Sequence, residues 1–274
     1  MRGIAGASPP APYLRAVTML LLLSNSRDPE GRYLQHCRDA LAELLKGVKR
    51  VTFVPYASVV APWDDYMAKL RDALAPIGVG VDGVHRAEYA AQAIRDAEAI
   101  AVGGGNTFHL LQHLQESGAL DALREQALAG VPYFGWSAGA VIAGPTIRTT
   151  NDMPIVEPPN GLGALGLVPF QINAHFTDLH PRGFQGETRR ERLAEFLVAN
   201  PTLAVVGLPE GAWLRVDGDA VTLEGPHEAV LFRDGEPVAA LPSGVRVDRV
   251  LAGTVATTPS APRPRGLLAR LRGA

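Results

Sequence analysis

The sequence predicts an α/β protein with a mostly parallel central sheet, helices on both of its faces and an antiparallel edge near the C-terminus. Three observations predict it. Short β-prone apolar runs alternate with helical patterns through the first half of the chain; these runs are continuously apolar, as strands buried on both faces must be; and the last strand-like pieces are short and separated by turn residues. The chain has 274 residues, 47% of them hydrophobic, enough to fill a sizeable core, and no internal repeat or interdomain linker divides it. A single domain over residues 18–252 is therefore expected.

In chain order, MLLLLS at 19–24 leads into a helical pattern over 34–46, and VTFVPYA at 51–57 into one over 63–75. GVGVDGV at 78–84 precedes a helical stretch near 89–96, AIAVGGG at 99–105 one over 107–117, and VPYFGW at 131–136 a helix from Ala138 onward. The alternation then stops. Residues 145–166 are rich in proline and glycine with little periodicity, and a loop of that length in a compact domain is usually functional or disordered. After it come strand-like LVPFQINAHF, a helix over 187–199, strand-like LAVVGL at 203–208, and the shorter pieces WLRV, AVTL and AVLFRDG.

The ends read as flexible extensions, an N-terminal one over 1–17 and a basic C-terminal tail over 253–274, with Met19 as an alternative start. Pro9, Pro10 and Pro12 interrupt any apolar run of signal length, and Met19–Leu23 is too short to span a bilayer. The 26 basic and 28 acidic residues nearly cancel, which argues against nucleic acid or an anionic membrane as partner and for a small molecule. The single cysteine, Cys37, forms no internal disulfide and suits a reducing cytoplasm, with a packing role.

The chemistry centres on YFGWSAGAVIAG at 133–144. Eight serines and 29 glycines in 274 residues give about 0.09 chance matches to G-x-S-x-G per chain, so the motif counts only in context. Here it follows a strand run and opens a helix, the strand-turn-helix geometry that exposes a nucleophile at the carboxyl edge of a sheet, and the helix N-terminus favours negative charge nearby. A structural turn is the competing reading. A serine hydroxyl needs a histidine to take its proton and an acid to orient that histidine. His175 ends the strand-like QINAH and can reach the same edge, with His180 in reserve. His36, His85 and His227 fall on a helix, at a turn after a strand and in a late turn. His109 and His113, four apart, could chelate a metal but have no evident third ligand and read as a solvated helix face. Asp152 and Glu210 both lie where they could orient the histidine, and either could instead satisfy backbone amides of its own loop. VGGGNT at 102–107 also joins a strand to a helix; without a P-loop or G-x-G-x-x-G pattern it reads as an oxyanion hole rather than a nucleotide site.

At these residues the sequence resembles the peptidase E (α-aspartyl dipeptidase) family of serine peptidases. The blocks that carry the resemblance are LLLSNS at 21–26, WDDY at 63–66, VGGGNTF at 102–108, GWSAGA at 135–140, PTIRTTNDMPIV at 145–156, QINAHF at 171–176, GETRRER at 186–192 and GLPEG at 207–211. The match runs from about Met19 to the low 230s. It implies a fold like that of the class I glutamine amidotransferases, with serine in place of cysteine at the elbow, and cleavage of dipeptides with an N-terminal aspartate without metal or cofactor. It implies Ser137 as nucleophile, His175 as base, and the amides of Gly104 and Ala138 as oxyanion donors. Asp152, in TTNDMP, matches the position often assigned as the acid and is preferred; Glu210, in GLPEG, is the alternative. One departure is Ala174, where the family usually has proline before the histidine.

An aspartyl side chain is an anion, which makes Arg148 its candidate partner with Asn106 assisting; the acid left outside the triad, Glu210 on the preferred assignment, would receive the free α-amino group. The expected partners are small Asp-Xaa peptides, and the chain would act as a monomer or homodimer. The alternatives are a cyanophycinase-like or isoaspartyl-type peptidase of the same fold, or an inactive aspartyl-peptide binding protein.

Overall fold

A computed structural model describes residues 18–253; the expectations for residues 1–17 and 254–274 lie outside them. The elements run β1 (Met19–Leu23), α1 (Arg38–Leu44), β2 (Arg50–Val54), α2 (Trp63–Leu74), β3 (Gly80–Gly83), α3 (Ala90–Arg95), β4 (Ile100–Val102), α4 (Thr107–Glu116), α5 (Ala119–Leu128), β5 (Tyr133–Trp136) and α6 (Ala138–Val141). They continue with β6 (Gln171–Ala174), α7 (Arg189–Ala199), β7 (Ala204–Leu208), β8 (Trp213–Asp217), β9 (Ala220–Glu224), β10 (Ala229–Arg233), β11 (Ala239–Leu241) and α8 (Val247–Leu251).

Seven strands form the main sheet in the order β3-β2-β4-β5-β1-β8-β9. Strands β1 to β5 are parallel, and β8 and β9 extend the sheet as an antiparallel edge beside β1. This is the expected architecture, and the alternation of side chains explains why its strands read as unbroken apolar runs. Leu20 and Leu22 face a core shared with α4, α5 and α6, while Leu21 and Leu23 face one shared with α1 and α2.

Two features depart from the expectation. Strands β6 and β7 leave the main sheet and, with β10 and β11, form a second sheet in the order β11-β10-β7-β6. One face of this sheet, through Ile172, Val206, Leu208 and Leu231, joins the main core; α7 covers the other face through Leu193 and Leu197, which pack with Phe176, Val205, Val230 and Phe232. Second, the helix after Ser137 is only four residues long. A single turn aligns few peptide dipoles, so the expected helix-dipole contribution gives way to individual amides. The elements α5, α8 and β11 were not anticipated from the sequence.

The loop at 145–166 covers the free edge of β6 where a further strand would otherwise pair. Thr149 donates from its hydroxyl to the Ile172 carbonyl at 3.0 Å, Asn151 donates from Nδ2 to the Ala174 carbonyl at 2.8 Å, and Asn173 donates from Nδ2 to the Thr149 carbonyl at 2.7 Å. Side chains thus satisfy an edge that backbone pairing leaves open.

Candidate functional site

Three strand ends converge on the site. Ser137 follows β5 and opens α6, His175 follows β6, and Glu210 lies two residues after β7. Because β6 and β7 run parallel with Ala174 opposite Leu208, the residues that follow the two strands emerge side by side. The main sheet contributes the serine, and the second sheet contributes the histidine and the glutamate.

Ser137 has φ 51° and ψ −114°, a conformation that side-chain-bearing residues seldom adopt. The turn is held by close packing around the two motif glycines. A Cβ on Gly139 would lie 2.1 Å from the Val102 carbonyl oxygen of the neighbouring strand, and one on Gly135 would lie 2.3 Å from the Gly139 carbonyl oxygen. The Tyr133 hydroxyl donates to that Gly139 oxygen at 2.6 Å. Backbone atoms cannot swing aside as a flexible side chain can, so Gly139→Ala is expected to cost about 3 kcal/mol of stability. A denaturant melt of the purified variant checks this.

His175, also at positive φ (53°), hydrogen-bonds through Nε2 to Ser137 Oγ at 2.9 Å and through Nδ1 to Glu210 Oε1 at 2.7 Å. With its proton on Nδ1 and directed at the carboxylate, the imidazole presents an Nε2 lone pair to the serine hydroxyl. In that arrangement a histidine can take the serine proton while the carboxylate holds the ring.

The preference for Asp152 as the orienting acid is not what the geometry shows. Asp152 Oδ2 accepts from the Thr107 amide at 2.8 Å, from the Thr150 hydroxyl at 2.9 Å and from the Thr107 hydroxyl, so its carboxylate ties the 145–166 loop to the first residue of α4. Both His175 nitrogens are occupied by Ser137 and Glu210. Asn106, expected to assist substrate binding, is instead the N-cap of α4: Oδ1 accepts from the His109 amide at 3.0 Å and Nδ2 donates to the Met153 carbonyl at 2.9 Å.

The glycine loop 103–105 packs directly on the serine. A Cβ on Gly104 would lie 2.9 Å from Ser137 Cβ. Among the described residues, the amides of Gly104 and Ala138 donate to no protein acceptor, which leaves two N–H donors beside the serine. Tyr66 steadies this loop by donating to the Gly104 carbonyl at 2.9 Å while accepting from Trp136 Nε1 at 2.9 Å. Burial pushes the Tyr66 hydroxyl up to about 12, so it keeps its proton and remains a donor.

A cavity of about 570 Å³ lies between the 145–166 loop and α7; its wall includes Arg148, Asp152, Asn173, Thr177, Arg189 and Arg192, and neither Ser137, His175 nor Glu210 lines it. Arg148 lies over the Phe196 ring, 5.8 Å from its centroid, and donates to Asn200 Oδ1 at 3.1 Å. Arg192 has Glu187 at 3.7 Å. Arg189 has no carboxylate partner among the described residues; it donates to the His175 carbonyl, and burial, then the nearby Arg192 charge, lower its pKa. His180 stacks on Phe184, with ring centroids 5.0 Å apart, and is not in contact with the serine.

Three of the other histidines, His85, His109 and His113, have local polar partners, while both ring nitrogens of His36 are buried with none. His109 and His113 face each other with Nε2 atoms 3.2 Å apart and are half-buried, His113 against the rings of Tyr56 and Trp63 and His109 with its Nδ1 on the Tyr56 carbonyl, and no group of three metal-ligating side chains occurs among the described residues. His85 meets Asp64 at 2.9 Å. Cys37 is buried and donates to the Leu34 carbonyl, and its burial raises the thiol pKa strongly, as expected of a packing residue.

Residue-type reasoning missed three contributors. Ser24 and Asn25, directly after β1, contact the His175 and Gly211 amides; their signal was the polar pair closing an apolar strand. Arg189 is the first residue of α7, behind a capping box formed by Thr188 and Glu191, and that helix-start pattern gave no hint of a cavity.

A family model described as peptidase family S51 matches residues 20–224. The chain is 49% identical over 227 residues to peptidase E of Salmonella typhimurium strain LT2 and 50% identical over 227 residues to peptidase E of Citrobacter koseri; each alignment covers 83% of this chain and 99% of the relative. Among solved structures, a putative peptidase E protein from Listeria monocytogenes EGD-e matches at 25% identity with a TM-score of 0.57, covering 77% of this chain and all of that one. A peptidase from an acI-B1 actinobacterium matches with a TM-score of 0.63 over 84% of this chain and 96% of that one; at 16% identity it speaks to the fold alone.

Proposed function

This chain belongs to peptidase family S51 and is a serine peptidase, and we propose that it hydrolyses dipeptides with an N-terminal aspartate through an acyl-enzyme on Ser137. The observation that carries the mechanism is the continuous hydrogen-bond chain Ser137–His175–Glu210, at 2.9 and 2.7 Å, beside two amides without acceptors. Ser137 Oγ attacks the peptide carbonyl while His175 Nε2 accepts its proton and Glu210 stabilises the imidazolium. The Gly104 and Ala138 amides receive the oxyanion. His175 then passes the proton to the leaving amine and activates water to release aspartate.

The cavity between the 145–166 loop and α7 supplies groups for the aspartyl residue. Arg189, without a carboxylate partner, and Arg148 receive its side-chain carboxylate, and the unshared Oδ1 of Asp152 receives the α-ammonium. We place the activity on free peptides in the cytoplasm, in a monomer or homodimer; no helix among the described residues is long and apolar enough to cross a membrane.

The test is hydrolysis of Asp-Leu beside Leu-Leu, N-acetyl-Asp-Leu and β-Asp-Leu, with an EDTA-treated sample. Cleavage of Asp-Leu alone, unchanged by EDTA, is expected. Cleavage of β-Asp-Leu in its place would favour the isoaspartyl-type reading, and folded protein that cleaves none of them would sink the substrate assignment. Arg189→Met is expected to raise KM for Asp-Leu about 10- to 100-fold, the effect of losing one charge-assisted hydrogen bond. An unchanged KM would remove Arg189 from the substrate site.

A further inference from the structure

Three consecutive residues at the end of β1 each hold one part of the site. The Leu23 carbonyl accepts the Ser137 amide at 3.0 Å. Ser24 Oγ accepts the His175 amide at 2.8 Å and donates to the Leu208 carbonyl at 2.8 Å. Asn25 Oδ1 accepts the amide of Gly211, the neighbour of Glu210, at 2.8 Å, while its Nδ2 donates to the Arg27 carbonyl at 2.6 Å. Ser24 is fully buried and Asn25 nearly so.

From this arrangement we infer that Ser24 and Asn25 are positioning residues that set the spacing of His175 and Glu210 from Ser137 by tying the second sheet to the end of β1. The inference rests on the catalytic reading above. Ser137 and His175 belong to different sheets, so packing within either sheet does not fix the distance between them. Both also have positive φ, where the backbone has no strong preference of its own for the observed geometry. A buried hydroxyl that both donates and accepts selects one placement of the strand end. The main chain of β1 already anchors Ser137, so the same short segment references all three side chains to one rigid strand. Losing the Ser24 hydroxyl leaves the His175 amide without its acceptor and frees the imidazole to drift, and displacements near 1 Å can lower catalysis about 100-fold.

Ser24→Ala and Ser24→Thr are compared with wild type by the rate of fluorophosphonate labelling of Ser137, by kcat and KM for Asp-Leu, by thermal melting, and by the downfield NMR resonance of the His175 Nδ1 proton. Ser24→Ala is expected to lower labelling and kcat together by about 10- to 100-fold. KM should stay within about twofold, the fold should be kept and the imidazole proton signal should broaden or shift, while Ser24→Thr, which retains the hydroxyl, recovers most of the loss. If the threonine methyl prevents folding, Asn25→Ala against Asn25→Asp makes the same comparison at the glutamate end, because aspartate keeps the acceptor for Gly211. Folded Ser24→Ala with wild-type labelling and an unmoved imidazole proton would overturn the inference, and so would a folded hydroxyl-retaining variant as impaired as the alanine one. Wild-type protein that labels at Ser137 but leaves Asp-Leu intact would refute the substrate reading alone. Wild-type protein that does not label would refute the catalytic reading, and the proton resonance would still test the positioning.

Discussion

Ser137→Ala is expected to lower kcat for Asp-Leu by about a millionfold, the scale at which loss of a serine nucleophile leaves only what binding and oxyanion stabilisation supply. The fold should survive. The side chain's hydrogen bond is the one to His175, while the main-chain bonds that shape the turn, from the Ser137 amide to the Leu23 carbonyl and from the Ala140 and Val141 amides to the Ser137 carbonyl, do not involve it. Alanine retains the Cβ that already accommodates the positive φ. Steady-state hydrolysis on protein matched to wild type by thermal melting is the measurement. A residual rate within 100-fold of wild type would mean that another group performs the attack.

Glu210→Gln is expected to lower kcat by about ten-thousandfold with almost no change in stability. The kinetic size follows from the histidine: an amide cannot stabilise the imidazolium and can hold the wrong tautomer, so the ring no longer offers a free Nε2 to the serine. The thermodynamic side follows from exposure. The Glu210 side chain is 65% exposed and that of His175 is 39% exposed, so solvent screens the pair and its removal costs the fold little. Asp152→Asn should behave in the opposite way. It weakens the bonds to Thr107 and Thr150 that fasten the loop to α4, costing about 1–2 kcal/mol, and lowers kcat about tenfold at most. If the two variants exchanged these behaviours, Asp152 would be the orienting acid and the observed His175–Glu210 contact incidental.

That contrast marks the limit of what the residues alone convey. The parallel core was legible because β1, β4 and β5 are buried on both faces and β2 nearly so, a pattern that few other structures require. Ser137 was legible because its motif falls between a strand and a helix, and His175 because it ends a strand. The identity of the acid was not. Asp152 and Glu210 both occupy loops next to strand ends, and what separates them is the pairing of β6 with β7, a contact between segments more than thirty residues apart. The departure of these two strands from the main sheet was hidden for a related reason: AVVGL carries the same apolar signature as the central strands, QINA reads as a strand through its alternation, and periodicity does not say which neighbour a strand takes. Arg189 was masked by its place at the start of a well-capped helix.

The position of β1 between β5 and β8 governs when the site can come into being as the chain is made. Residues 19–141 can build five parallel strands and the turn that presents Ser137, but β1 then has a vacant flank until Trp213–Asp217 arrive to pair with it. His175 and Glu210 emerge in the interval, and the Asn25 bond to Gly211 cannot form before residue 211 exists. The serine is thus made before its base, and the base before the strand that closes the β1 flank.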